Sequence, residues 1–327
     1  MSSPKNTTIK DIPDVPPEVF KAAKNGKLVI FIGAGVSGIV GCPSWNELAH
    51  KQLKDLYEKK ALNYYEYTNL KTLDARKLLS ICRKIYDERK VSPESMKTLL
   101  KGRDELIKKS TIYKDLYGLN AIYVTTNFDD YLDMIADQPT EKPTSFSKAP
   151  ASKDYAEKDI PGGKVFYSKE HLLLSHLANG NIMHIHGSVK DEGKTIVTIV
   201  DYMRHYEPGA EPAVFLEAVF NSYTVLFVGY GLEEYEILEF IISKSHPAKN
   251  ELKHFMLYPI FQNEINLLAF QRKYYADLGI QLIPYPKDEN GYEQLAAVIS
   301  EWSKQIGPIA RPQGFFERIK LIDEEVK

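Results

Sequence analysis

Leu28-Val29-Ile30-Phe31-Ile32 runs directly into Gly33-Ala34-Gly35-Val36-Ser37-Gly38, and this junction decides the fold. A short, wholly apolar, β-branched run reads as a strand buried on both faces, the kind found in parallel sheets. Glycines at 33, 35 and 38 have the spacing of a dinucleotide-binding turn between a strand and a helix. Gly33 permits a tight turn and Gly35 removes a side chain that would block phosphates. With Ala34, the amides of the next helical turn can donate to anionic oxygens, and Ser37 can add a hydroxyl. The plainer alternative is that small residues simply turn a strand into a helix.

The residues that follow argue against hydride transfer. A dehydrogenase places a second strand soon after this helix, with an acidic residue about 20 positions on to hold a ribose hydroxyl. Here Leu48 to Lys60 is helical instead, and Ser44 with Glu47 forms a capping box that starts it. Further strands are expected at Ala121–Thr125, Ile182–Ile185, Thr195–Val200, Val225–Val228, Phe255–Tyr258 and Ile280–Ile283. Helical spacing occupies Trp45–Glu58, Leu73–Asp87, Glu94–Ile107, Phe128–Ile135, Ala213–Ser222, Glu233–Ser243, Glu264–Asp277 and Tyr292–Gln305. The alternation predicts an α/β fold, a Rossmann-like, mostly parallel sheet with helices on both faces.

Residues 18–308 are expected to form one α/β domain, with 42–120 as a helical insertion or lid after the first strand. Residues 1–17 read as a flexible arm and 309–327 as a charged helix or linker. Asp137–Gly163, rich in Pro, Lys, Asp and Ser, reads as a surface loop, with a short strand near Thr144–Ser147. The 42 basic and 44 acidic residues nearly cancel, which argues against nucleic acid as a direct partner. No run approaches the roughly 20 apolar residues of a membrane span, and a cytoplasmic protein is the simplest expectation. Cys42 and Cys82, the only cysteines, cannot make a four-cysteine zinc site.

Three more loops follow expected strands, where open α/β sheets bind ligands. In Thr125-Thr126-Asn127-Phe128-Asp129-Asp130, Asn127 can both donate and accept, which suits a ribose hydroxyl or an attacking water. The same residues could equally cap a helix. In His184-Ile185-His186-Gly187, strand alternation puts both histidines on one face. His186 is the better general base, and His184 reads as a hydrogen-bonded core residue. No third ligand follows at a suggestive spacing, so no metal is expected. Gly229-Tyr230-Gly231 again permits close backbone approach, or is a plain turn.

Together these four segments, spanning Gly26 to about Tyr285, resemble the sirtuin superfamily, and within it the bacterial sirtuin-like NAD+ hydrolases of antiphage defence. The resemblance rests on Gly33–Ser37, Thr125–Asp129, His186-Gly187, a strand and tyrosine-bearing helix at Thr195–Tyr202, and Gly229–Glu233. Protein-deacylating sirtuins carry a four-cysteine zinc module that this chain cannot build. They also carry a proline-aspartate-phenylalanine-arginine element where this chain has Pro43-Ser44-Trp45-Asn46. The resemblance thus implies NAD+ as substrate, no zinc, and water as acceptor, with Asn127, His186 and Asp129 catalytic. Thr126 and the two glycine loops would bind substrate. It also implies an abortive-infection effector acting in a homo-oligomer or beside a sensor partner. The rival readings are an NAD-dependent deacylase and a non-catalytic module that senses NAD or ADP-ribose. Removing Asn127 or His186 is expected to leave stability nearly unchanged.

Overall fold

The computed structural model describes residues 9–137, 163–231, 237–238, 240–241 and 254–310. Seven strands form one sheet: β1 Leu28–Ile32, β2 Ile122–Thr125, β3 Val165–Phe166, β4 Ile182–His184, β5 Thr224–Val228, β6 His254–Ile260 and β7 Ile280–Pro286. Their order is β3-β4-β2-β1-β5-β6-β7, and every pairing is parallel. Alternation distributes each strand between two cores. Leu28, Ile30 and Ile32 join one apolar cluster, while Val29 and Phe31 join the cluster on the opposite face. The helices Ile112–Tyr117 and Gln294–Ile306 cover the first face, and Glu211–Ser222 covers the second. This is the Rossmann-like α/β arrangement expected from the alternation of elements.

The chain leaves β1 on one side towards β2 and crosses to its other side to reach β5. That reversal opens a crevice beyond the carboxyl ends of the central strands, where the loops after β1, β2 and β5 converge. Between β1 and β2 the described chain forms helices joined by turns and no strand, and its longest helices are Trp45–Glu58 and Ala75–Arg89. These pack through Leu48, Leu53, Leu78, Leu79 and Cys82 into a third core, which also takes in Phe128 and Val189 from beside the sheet.

Several expectations need correction. Thr195–Val200 is not a strand, because Thr198 and Asp201 form a reciprocal capping box that starts the helix Ile199–His205. The helix expected over Glu94–Ile107 breaks at Gly102. The Gly102 N–H donates to the Tyr131 hydroxyl, and a Cβ there would lie 2.5 Å from the Val40 carbonyl oxygen. Phe128 precedes its expected helix, which starts at Tyr131. Residues 9–16 are not a free arm: the Trp302 indole donates to the Pro13 carbonyl, and the Gln294 amide to that of Asp11. Most of the helix expected at Glu233–Ser243, the loop with its strand at Thr144–Ser147, and the tail from residue 311 lie outside the described residues.

Candidate active site

The loop after β1 is closed by the loop after β5. The Gly33 N–H donates to the Val228 carbonyl at 3.0 Å, and the Gly35 N–H to the Gly229 carbonyl at 2.8 Å. A Cβ on Gly35 would sit 2.8 Å from the Gly229 oxygen and 3.0 Å from its Cα. Gly35 is therefore required by the neighbouring loop. Gly229 itself has φ +61°, a left-handed backbone that favours glycine. Tyr230, expected to face substrate, is buried against Phe31 and Phe227 with ring centroids at 5.1 and 5.8 Å. Gly231 is exposed beside it.

Asn127 is held from several sides. Its backbone N–H donates to the Thr125 hydroxyl, its carbonyl accepts from His184 Nδ1 at 2.9 Å, and its Nδ2 donates to the Gly33 carbonyl and to Ser37 Oγ at 3.0 and 2.9 Å. A carbonyl can only accept, so the Gly33 contact fixes which end of the carboxamide is nitrogen. Oδ1 is then left as the acceptor, and Asn127 is among the residues lining a cavity with Ala34, Thr126, Trp45, Leu48 and Asp129. Trp45 and Phe128 form an edge-on aromatic pair in that wall, with centroids 5.5 Å apart.

Behind Asn127, Ser37 passes the network on. Its hydroxyl accepts from Asn127 and donates to Asp129 Oδ2 at 2.6 Å, and the Tyr113 hydroxyl reaches both Ser37 and Asp129. Ser37 is buried, and its proton is already committed to Asp129. It therefore positions the site, in place of the expected phosphate contact. Burial raises the Asp129 carboxyl above its ordinary range, against the lowering effect of the Ser37 hydrogen bond.

The two histidines do not share a face. β4 ends at His184, and the alternation ends with it. His184 Nε2 lies 2.8 Å from Asp133 Oδ1, and both side chains are buried. His186 instead contacts the Tyr206 hydroxyl at 2.6 Å through Nε2, with Tyr202 and His205 packed edge-on at 4.9 and 5.9 Å. It also hydrogen-bonds the backbone of Thr126, one residue from Asn127. His186 has no exposed surface and is not among the residues lining the Asn127 cavity. Burial pushes it well below the usual histidine range, so the ring is neutral. Sequence reasoning missed Tyr206 and His205, which lie one turn beyond the capping box that was read as a strand.

Among the described residues, no group of three or more His, Cys, Asp or Glu is placed to hold a metal ion, and no helix is long and apolar enough to cross a membrane. Burial raises both cysteine thiols to about 12, which keeps them protonated.

The SIR2-like domain family matches residues 121–283, which run from β2 into β7 and include Asn127, His186 and Gly229. The chain is similar to Defense-associated sirtuin 2 of Bacillus subtilis, at 25% identity over 226 residues. That match covers 67% of this chain and 19% of the relative, so the chain spans about a fifth of the relative's length.

Proposed function

We propose, on the premise that this chain carries a SIR2-like domain, that it binds NAD+ and hydrolyses the bond between nicotinamide and ribose. The observation that carries this reading is the orientation of Asn127, whose Nδ2 is tied to Gly33 and Ser37 while Oδ1 is left to accept. An acceptor held in that way positions a water, or a ribose hydroxyl, without reorganising during the reaction. The Trp45 and Phe128 rings beside it suit a flat aromatic amide.

In the reaction the C–N bond breaks with its electron pair passing to the pyridinium nitrogen, which leaves as neutral nicotinamide. Water oxygen bonds to the ribose carbon and loses a proton. Asn127 holds the water, and Asp129 supports it through Ser37. His186 can take that proton only if the helix Ile199–His205, with Tyr206 at its end, moves away from the ring. In the described state the histidine instead braces the Thr126 backbone. A protein deacylase would need an acyl-lysine peptide to consume NAD+. The test is incubation with NAD+ in 18O-labelled water, followed by mass spectrometry. ADP-ribose carrying one 18O, formed without any peptide, is expected; intact NAD+ or a cyclised product contradicts the reading.

The named relative is a defence-associated protein, and we extend that role to this chain as a NAD+-depleting effector. Depletion harms the host, so assembly with further copies or a sensor partner would control it. NAD+ turnover per subunit that stays constant across dilution, with and without a partner, would count against such control.

A further inference from the structure

Two successive residues just beyond β2 are each held by a histidine. His186 hydrogen-bonds the Thr126 backbone, and His184 Nδ1 donates to the Asn127 carbonyl at 2.9 Å. On either side, the backbone itself stitches this stretch to the segment after β4. The Ile185 N–H donates to the Thr125 carbonyl, and the Val189 N–H to that of Phe128. The Asn127 carbonyl between them takes its donor from a side chain. His184 is the last residue of β4 and stands in register with Thr125 of β2. Its ring therefore reaches past the end of the sheet to the peptide that carries the cavity-lining carboxamide.

The partners of the ring fix its charge. A carbonyl only accepts, so Nδ1 carries a proton. At the opposite edge Nε2 lies 2.8 Å from Asp133 Oδ1, and the Lys190 ammonium lies 3.1 Å from the other oxygen of that carboxyl. An ammonium so close favours the ionised carboxylate, which also only accepts, so Nε2 is protonated as well. His184 is thus an imidazolium, with its side chain 1% exposed and that of Asp133 wholly enclosed. Against the cost of burial, Asp133 raises the ring above the usual histidine range, and His184 with Lys190 lowers Asp133 below the usual carboxylate range. Lys190 keeps contact with solvent and also meets Asp137 at 3.6 Å. The imidazolium acts on Asp129 too. Burial raises that carboxyl, and the Ser37 hydrogen bond and the His184 charge oppose the rise.

We propose that His184 is a positioning residue for the cleavage: a buried imidazolium that donates through Nδ1 to the Asn127 peptide and is kept charged from behind by Asp133 and Lys190. Gly33 and Ser37 fix the far end of the Asn127 side chain, the Thr125 hydroxyl fixes its N–H, and His184 fixes its carbonyl. With the carbonyl released, the peptide can turn about its flanking bonds and carry Oδ1 away from the line that a water or ribose hydroxyl requires. A misplacement of about 1 Å in such a site can cost on the order of a hundredfold in rate. The ring suits the place because its two donors lie on opposite edges of one rigid plane, whereas a Gln amide turns both donors to one end. The role in cleavage rests on the reading that NAD+ is the substrate; the protonation of the ring and its contact with the Asn127 peptide do not.

The experiment compares the unsubstituted chain with His184→Asn and His184→Gln. The Asn amide nitrogen reaches the place of Nδ1, so it keeps a donor for the Asn127 carbonyl but leaves the buried Asp133 to Lys190 alone. The Gln amide nitrogen reaches the place of Nε2, so it keeps the Asp133 contact and loses the carbonyl one. Positioning and stability therefore rank the two variants in opposite order. His184→Asn is expected to unfold at the lower temperature, yet to release nicotinamide with kcat at least about tenfold above that of His184→Gln, with KM for NAD+ little changed in either. Activity that follows the unfolding midpoints instead, or equal kcat in all three proteins, overturns the proposal. Nitrogen NMR tests the same contacts without turnover. The His184 ring, identified by its loss in both variants, should carry two protonated nitrogens at about pH 7.5, where an ordinary histidine, at about 6.5, is mostly neutral. The Phe128 backbone nitrogen, in the same peptide group as the Asn127 carbonyl, should shift in His184→Gln and hold its place in His184→Asn. A ring with one proton, or the reverse pattern at Phe128, overturns the proposal. Should either variant fail to fold, Lys190→Met alters a partly exposed side chain and should lower the pH at which the ring loses its second proton; an unchanged value overturns the proposal. If the NMR pattern is as expected but the unsubstituted chain releases no nicotinamide, the hydrolase reading fails while the held Asn127 peptide stands.

Discussion

At the scale of single residues, the site depends on Ser37, whose one hydroxyl accepts from Asn127 and donates to Asp129. Replacing it with Ala leaves the carboxamide one anchor short and deprives a buried carboxylate of its shortest donor. Ser37→Ala is expected to slow nicotinamide release about tenfold to a hundredfold, chiefly in kcat, and to cost about 1–3 kcal/mol of stability. Steady-state kinetics beside denaturant titration checks this, and unchanged kcat would remove Ser37 from the positioning network. The sequence identified Asn127 and Asp129 as polar groups at a strand end, but it assigned Ser37 to phosphate. Residues 37 and 129 are far apart in the chain, and only the packing of two loops brings them together. His186 was legible as the last polar residue before a glycine. Its enclosure by Tyr202, His205 and Tyr206 was hidden because Thr195–Val200 has strand-like composition, whereas the Thr198–Asp201 capping box decides its structure. Burial also overturns the expectation that His186 contributes little to stability.

At the scale of elements, the glycine loop is a joint between β1 and β5. Gly35→Ala would push a Cβ into the Gly229 backbone, whereas Gly38→Ala would enter open space on a helix. The first is expected to lower stability by about 1–3 kcal/mol, and the second to leave it unchanged or raise it by up to about 1 kcal/mol. Thermal unfolding of the two variants tests this, and equal midpoints would contradict the close-contact account. The strands most legible in the sequence were β1, β5, β6 and β7, because each carries a sustained apolar, β-branched or aromatic run. β3 was missed because two residues give no period to read. The break at Gly102 depends on contacts with Val40 and Tyr131, which no local propensity reports.

At the scale of the whole molecule, buried histidines tie the fold to pH with opposite signs. His205 is buried and held down to about 4, and burial also depresses His186. Both are neutral when folded, so their contribution is intact above the ordinary histidine value of 6.5 and is lost as pH falls towards 4. For His205 the depression from 6.5 to about 4 amounts to about 3 kcal/mol. His184 is raised by its Asp133 partner, against the lowering effect of burial. Its contribution is complete below 6.5 and is lost as pH rises through the higher folded value. The predicted result is a stability maximum near neutrality. In a His205→Phe variant, unfolding midpoints should fall less steeply with acid than those of the unsubstituted chain. Parallel acid profiles for the two proteins would show that His205 is not held neutral.

The most direct test of the central claim, that Asn127 is fixed to present an acceptor where NAD+ is cleaved, is the rate of nicotinamide release by the unsubstituted chain and by Asn127→Ala at equal folded concentration. The account predicts release by the former and a fall of at least about a hundredfold in the latter. Equal release by both proteins would contradict it.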